Sequence, residues 1–158
     1  MACYVVDSFG NLYSEDIDYF VSKYQKLMPG IEVGIHAHNN QQLAFANTIE
    51  AIIKGFTFVD GSIYGMGRAG GNCTTELILG FLENPKYRLA PVLGLAEKYF
   101  IDLQRELKWG YELPYMLTGA HNKHPRTALA FVKEHLGGQT GKSVVDFYHE
   151  LLDADSAD

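Results

Sequence analysis

Three short runs in the first half of the chain constrain its fold more than any other feature. Residues 31–36 and 56–62 are two short β-like runs, and the first run, Ala2–Asp7 (Ala-Cys-Tyr-Val-Val-Asp), is apolar almost throughout. Strands buried on both faces read this way, because neither face turns to solvent. Between them lie two helical patterns. Residues 14–28 set Ile17, Phe20, Val21, Tyr24 and Leu27 along one face, and residues 42–54 set Leu43, Ala46, Ile49 and Ile53 along another. Ser14 is predicted to cap the first helix, Pro29-Gly30 to stop it and Gly55 to end the second. Strand, helix, strand, helix, strand is the pattern of βαβ units around a parallel sheet.

From Pro85 onward the texture turns to helix after helix, at residues 92–109, 124–135 and 144–152, joined through Gly110, Pro114, Gly119 and Gly137-Gly138. Residues 115–117 form the one further strand-like run, and residues 153–158 read as a frayed acidic tail. Two parts are therefore expected: 1–84, an α/β arc, and 85–158, a helical region. With 158 residues, 47% of them apolar, the chain can bury one core but is short for a closed eight-stranded α/β barrel of ~250 residues.

Charge narrows the partners. The net charge is −6 and the thirteen Lys and Arg are dispersed without a basic stripe, so nucleic acid is not an expected partner. Apolar runs such as residues 89–96 fall far short of the ~20 residues of a membrane span. Met1 is not followed by a basic region and an apolar block, so the expected location is cytoplasmic. Cys3 and Cys73 lack metal-finger spacing and read as packing residues.

The strongest chemical signal is His36-Ala37-His38 at the end of the second strand, followed by Asn39-Asn40. Residues i and i+2 of an extended segment point to the same side, so two imidazoles can converge on one cation; hydrogen-bonded loop histidines are the alternative. The second signal is Gly65-Met66-Gly67-Arg68-Ala69-Gly70-Gly71-Asn72, between the third strand and a helix at 74–82. Such a loop either brings backbone close to an anion or forms a tight turn with no ligand, and it lacks the order of a P-loop or dinucleotide fingerprint. Arg68 can hold a carboxylate or bridge to Glu76. Both signals sit at the carboxyl ends of successive strands, where barrel enzymes place their chemistry.

The segments His36-Ala-His38-Asn-Asn-Gln-Gln-Leu-Ala-Phe-Ala-Asn47, Val59-Asp60-Gly61-Ser62 and Gly65-Met-Gly-Arg-Ala-Gly-Gly-Asn72-Cys-Thr-Thr-Glu76, in this order, resemble the HMG-CoA-lyase-like metallolyase superfamily. Asp7-Ser8-Phe9-Gly10 is similar to that family's Asp-Thr-x-Gly after strand five. Gly110-Tyr111-Glu-Leu-Pro-Tyr115 is similar to a segment of its 4-hydroxy-2-oxovalerate aldolases. The resemblance implies the carboxyl-terminal half of a (β/α)8 barrel, strands five to seven, followed by a helical module. It implies that His36, His38 and Asn72 ligate Mn²⁺ or Mg²⁺, that Ser8 contacts substrate, and that Tyr115 serves catalysis; Arg68, read from its place in the glycine loop, is the second substrate-binding candidate. The implied substrates would be a 4-hydroxy-2-keto acid cleaved through a metal-stabilised enolate, with an aldehyde as the other partner. An acyl-CoA condensing synthase of the isopropylmalate or homocitrate type, or a noncatalytic remnant acting in assembly, are the other readings. The family's Arg-Asp pair after strand one has no match, so a missing amino-terminal half barrel or a second copy is the expected partner, and the chain alone is expected to be inactive.

Overall fold

The computed structural model describes residues 2–136, 138 and 141–155. The three short runs become β1 (Ala2–Asp7), β2 (Glu32–Ala37) and β3 (Phe58–Val59), parallel and in the order β1-β2-β3. β3 is shorter than its run, because its ladder with β2 holds only Gly34↔Phe58 and Ile35↔Val59 before the chain turns away. The register still extends beyond it, since the Asp60 N–H donates to the Ile35 carbonyl at 3.0 Å.

Helices α1 (Ser14–Leu27) and α2 (Ala44–Ile53) cover one face of the sheet. Val33, Ile35 and Ala37 alternate toward them and join Val5, Ile17, Val21, Ala51 and Ile78 in one apolar cluster. The opposite face carries Tyr4, Val6, Gly34, His36 and Phe58. It is largely open, with Val6 52% exposed and Phe58 39%. Tyr4 lies over Gly34, where a Cβ would come within 2.7 Å of its ring, and stacks on Phe58 with centroids 6.4 Å apart.

Several boundaries move. Ser14 opens α1 rather than capping it: Tyr13 is the cap, and its N–H donates to the Asp16 carboxylate at 2.9 Å, the reach-back half of a capping box. After α3 (Thr75–Leu82), helix α4 (Leu89–Leu95), a π-helical turn (Ala96–Phe100) and α5 (Ile101–Leu107) follow without a break. The strand-like run at 115–117 is helical instead, inside α6 (Leu113–Ala120). Pro114 at its start presets the helical φ, and Tyr115 turns into an apolar cluster. Helices α7 (Arg126–Leu136) and α8 (Val144–Asp155) complete the chain. The expected fraying therefore fails for residues 153–155, because Leu151 is buried beside Phe131 and Phe147 and anchors the last turns; residues 156–158 lie outside the described residues, as does Gly137.

Tyr115, Ala128, Phe131, Phe147, Leu151 and the loop residue Ala69 form a second apolar cluster, with the Phe131 and Phe147 rings 4.7 Å apart. Among the described residues no helix is long and apolar enough to cross a membrane.

Candidate metal and substrate site

The end of β2 is where the two sequence signals meet. His36 and His38 share a side of the strand, with ring centroids 5.2 Å apart and planes at 76°. The glycine loop runs beside them. The Asn39 N–H donates to the Gly71 carbonyl at 2.8 Å, the Cys73 N–H to the Ala37 carbonyl at 3.0 Å, and His38 bridges Asn72 in antiparallel sense. Gly71 makes this approach possible. Its φ is +83°, and a Cβ there would lie 2.3 Å from the Gly65 carbonyl oxygen.

Asn72 is held through its amide Nδ2, which donates to the Met66 carbonyl at 3.1 Å. Its Oδ1 is buried with no hydrogen-bond partner. An orphaned buried acceptor costs about 1–3 kcal/mol, so it is kept where something else can use the lone pairs. His38 is equally prepared: burial, then the charges of His36 and Arg68, draw its pKa down to about 4, which leaves the imidazole neutral at physiological pH. His36 takes another route, its Nδ1 lying 3.1 Å from Asp60 Oδ2. Among the described residues no group of three or more His, Cys, Asp or Glu could hold a metal. The donor set on offer is two imidazoles and one amide oxygen, a combination that suits a divalent cation with room for substrate oxygens.

Arg68 and Ser8 stand at the rim of the same site. The Arg68 Nη2 donates to the Ser8 carbonyl at 3.4 Å. The alternative bridge to Glu76 does not form, because that carboxylate receives the Tyr64 N–H at 2.9 and 3.1 Å and holds Tyr64 at φ 55°. Asp7, 3% exposed, builds the turn that presents Ser8 by accepting the Asn11 and Leu12 N–H groups at 3.0 and 3.3 Å. Burial nevertheless pushes its pKa up.

Tyr115 is not brought to the histidines. It is 3% exposed and packs in the helical cluster with Ala69, the neighbour of Arg68. Burial, then the charge of Glu112, raises its pKa. Cys73 is buried with its thiol pKa pushed up by burial, as befits a packing residue.

Three residues that the sequence reading passed over organise the site. Asp60 touches His36, and counting the parallel register from β2 to β3 would have found it. Asn40, 1% exposed, accepts the Gly70 N–H at 3.2 Å and pins the glycine loop. Trp109 donates its indole N–H to the Tyr64 carbonyl at 3.0 Å, and the neighbouring Gly110 N–H reaches the Ala69 carbonyl at 3.0 Å. No sequence signal foretold that clasp.

Comparison with known proteins bears on this arrangement. The HMGL-like family profile matches residues 2–98. A 4-hydroxy-2-oxovalerate aldolase of Bacillus thuringiensis is 40% identical over 88 residues, covering 56% of this chain and 26% of that protein. The solved N-terminal domain of a Bacteroides vulgatus protein described as an aldolase superposes with a TM-score of 0.74 at 36% identity, over 82% of this chain and 44% of that one. HMG-CoA lyase of Bacillus subtilis shares the fold, with a TM-score of 0.58 at 22% identity over 68% of this chain and 38% of the lyase chain. The chain spans about a quarter of the length of the curated relatives it matches.

Proposed function

The chain belongs to the HMGL-like family, and from that premise we propose that it is the carboxyl-terminal part of a divalent-metal-dependent aldolase, a carbon–carbon lyase of 4-hydroxy-2-keto acids. Residues 1–84 would supply strands five to seven of an eight-stranded barrel and residues 85–158 a helical region behind them. One observation carries the reading: the Asn72 Oδ1 is buried without a partner directly across a strand bridge from His38, whose ring neighbours His36. His36, His38 and Asn72 would hold Mn²⁺ or Mg²⁺. When bound, such an ion supplies Lewis-acid stabilisation of the negative charge that grows on the keto oxygen as the carbon–carbon bond breaks or forms.

The protein's own groups do the rest. The depressed pKa of His38 keeps its ring-nitrogen lone pair available without competition from a proton near neutrality. Arg68, tethered at the rim by the Ser8 carbonyl, offers a guanidinium to the substrate carboxylate, and Ser8 itself lies within the same turn. Tyr115 keeps its hydroxyl proton through burial and packs against Ala69, so it supports the loop that carries Arg68 rather than meeting substrate. The open sheet face with Val6 and Phe58 is the surface that a first half barrel, or a second copy, would cover.

The test is a Mn²⁺ titration of the purified chain followed by electron paramagnetic resonance. The chain should bind Mn²⁺, and His36→Ala with His38→Ala should weaken binding by at least about 100-fold, since outer-shell partners alone account for 10–100-fold. Equal binding by the double variant overturns the site. The chain alone should not cleave a 4-hydroxy-2-keto acid, and turnover by a homogeneous preparation overturns the need for a completing partner.

A further inference from the structure

We propose that Asp60 is the positioning residue for His36: its carboxylate accepts the Nδ1 proton, which fixes the ring in the tautomer whose free lone pair is on Nε2. The inference deepens the metal site proposed above and rests on it for its purpose, though not for its geometry.

The contact is built into the sheet. Ile35 pairs with Val59, and the Asp60 N–H donates to the Ile35 carbonyl at 3.0 Å, so the backbone carrying the carboxylate is fixed alongside the backbone carrying the imidazole. From that base the Asp60 Oδ2 reaches His36 Nδ1 at 3.1 Å. A carboxylate has no proton of its own to give near neutrality, so the bond is made only when Nδ1 bears the hydrogen.

The first strand brings a phenol toward the carboxylate. Tyr4 lies flat across Gly34 and against Phe58, a position open to it because residue 34 has no side chain. Partial burial, then the Asp60 charge and a side-chain hydrogen bond to it, raise the Tyr4 pKa, which marks the hydroxyl as a donor to that carboxylate. Tyr4, His36 and Asp60 thus come from β1, from β2 and from just past β3. The two histidines are prepared by different means: His38 by burial, and His36 by an anionic acceptor that orients its ring.

The bland alternative is an ion pair between a protonated imidazole and Asp60 on a surface where the two side chains are 29% and 46% exposed. Such pairs stabilise little and would leave the tautomer of the neutral ring free. Neutral imidazole in water prefers the proton on Nε2, so the two cases differ in sign.

Nitrogen NMR of ¹⁵N-histidine-labelled, metal-free chain at pH 8 separates them. With Asp60 in place, His36 should show a protonated Nδ1 and a lone-pair Nε2. Asp60→Ala should reverse this, and Asp60→Asn, whose amide oxygen can still accept, should largely retain it. In Mn²⁺ titrations Asp60→Ala should lose about 10–100-fold in affinity and Asp60→Asn less. Tyr4→Phe should lose about 2–10-fold, the effect of one hydrogen bond. A wild-type His36 with its proton on Nε2, or unchanged Mn²⁺ affinity in Asp60→Ala, overturns the assignment. Failure of the wild-type chain to bind Mn²⁺ would instead remove the metal reading, while the metal-free spectrum still decides whether Asp60 sets the ring.

Discussion

Around Ile35 the core is built from three strands and the helices on one side of them, whereas around Phe131 it is built from helices and a single loop residue, Ala69. The helical cluster is packed from all its helices. In the sheet, the helix-covered face is dry, while the other face leaves Val6 52% exposed and carries His36. The contrast assigns different work to the two regions. Polar chemistry gathers where the sheet lacks a second layer, and the helical region steadies it through the Trp109 and Gly110 hydrogen bonds to the glycine loop and through Gly119, packed on Gln41 and the Gly10 carbonyl.

The largest test of that division is truncation of each core. Phe131→Ala should cost about 3–5 kcal/mol and Ile35→Ala about 2–5 kcal/mol in chemical denaturation. If the helices act as a clamp, both variants unfold in one transition with the parent. A separate early transition in Phe131→Ala, with Mn²⁺ binding intact, would break the comparison by making the helical region independent.

Glycines sharpen it at intermediate size. Gly71→Ala, at φ +83° and 2.3 Å from a carbonyl oxygen, should destabilise by about 1–3 kcal/mol and weaken Mn²⁺ binding by displacing Asn72. Gly94→Ala, in α4 with nothing within 4 Å, should stabilise by about 0.5–1 kcal/mol and leave binding unchanged. Equal effects on binding would mean that the loop geometry does not matter to the site.

The last expected effect is on pH dependence, carried by one imidazole that solvent screens in part. The His38 pKa falls from 6.5 unfolded to about 4 folded. Between those values the unfolded chain holds more protons, so stability declines as pH falls through that window. Asp7, with its pKa raised by burial, acts in the opposite sense toward the acid end. Melting temperatures of the parent and His38→Gln should converge as pH drops from 6.5 to 4, and parallel curves would contradict the buried neutral imidazole.

Much of the site was legible before any coordinates. Strand periodicity put His36 and His38 on one side, glycine content marked the loop that approaches them, and the short runs located all three strands. What misled was local: residues 115–117 have strand-like composition, yet Pro114 and the burial of Tyr115 make them helix. A single window cannot see the cluster that Tyr115 joins.

The order of strands and helices, and the residue types able to bind a cation, were determined by the sequence alone, because alternation and spacing are properties of neighbours along the chain. Only the tertiary structure decided that Asn72 Oδ1 is left without a partner, that Asp60 meets His36, and that Arg68 reaches Ser8 rather than Glu76. Those contacts join residues 24 and 60 positions apart, so they depend on sheet register and loop packing, which no local pattern encodes.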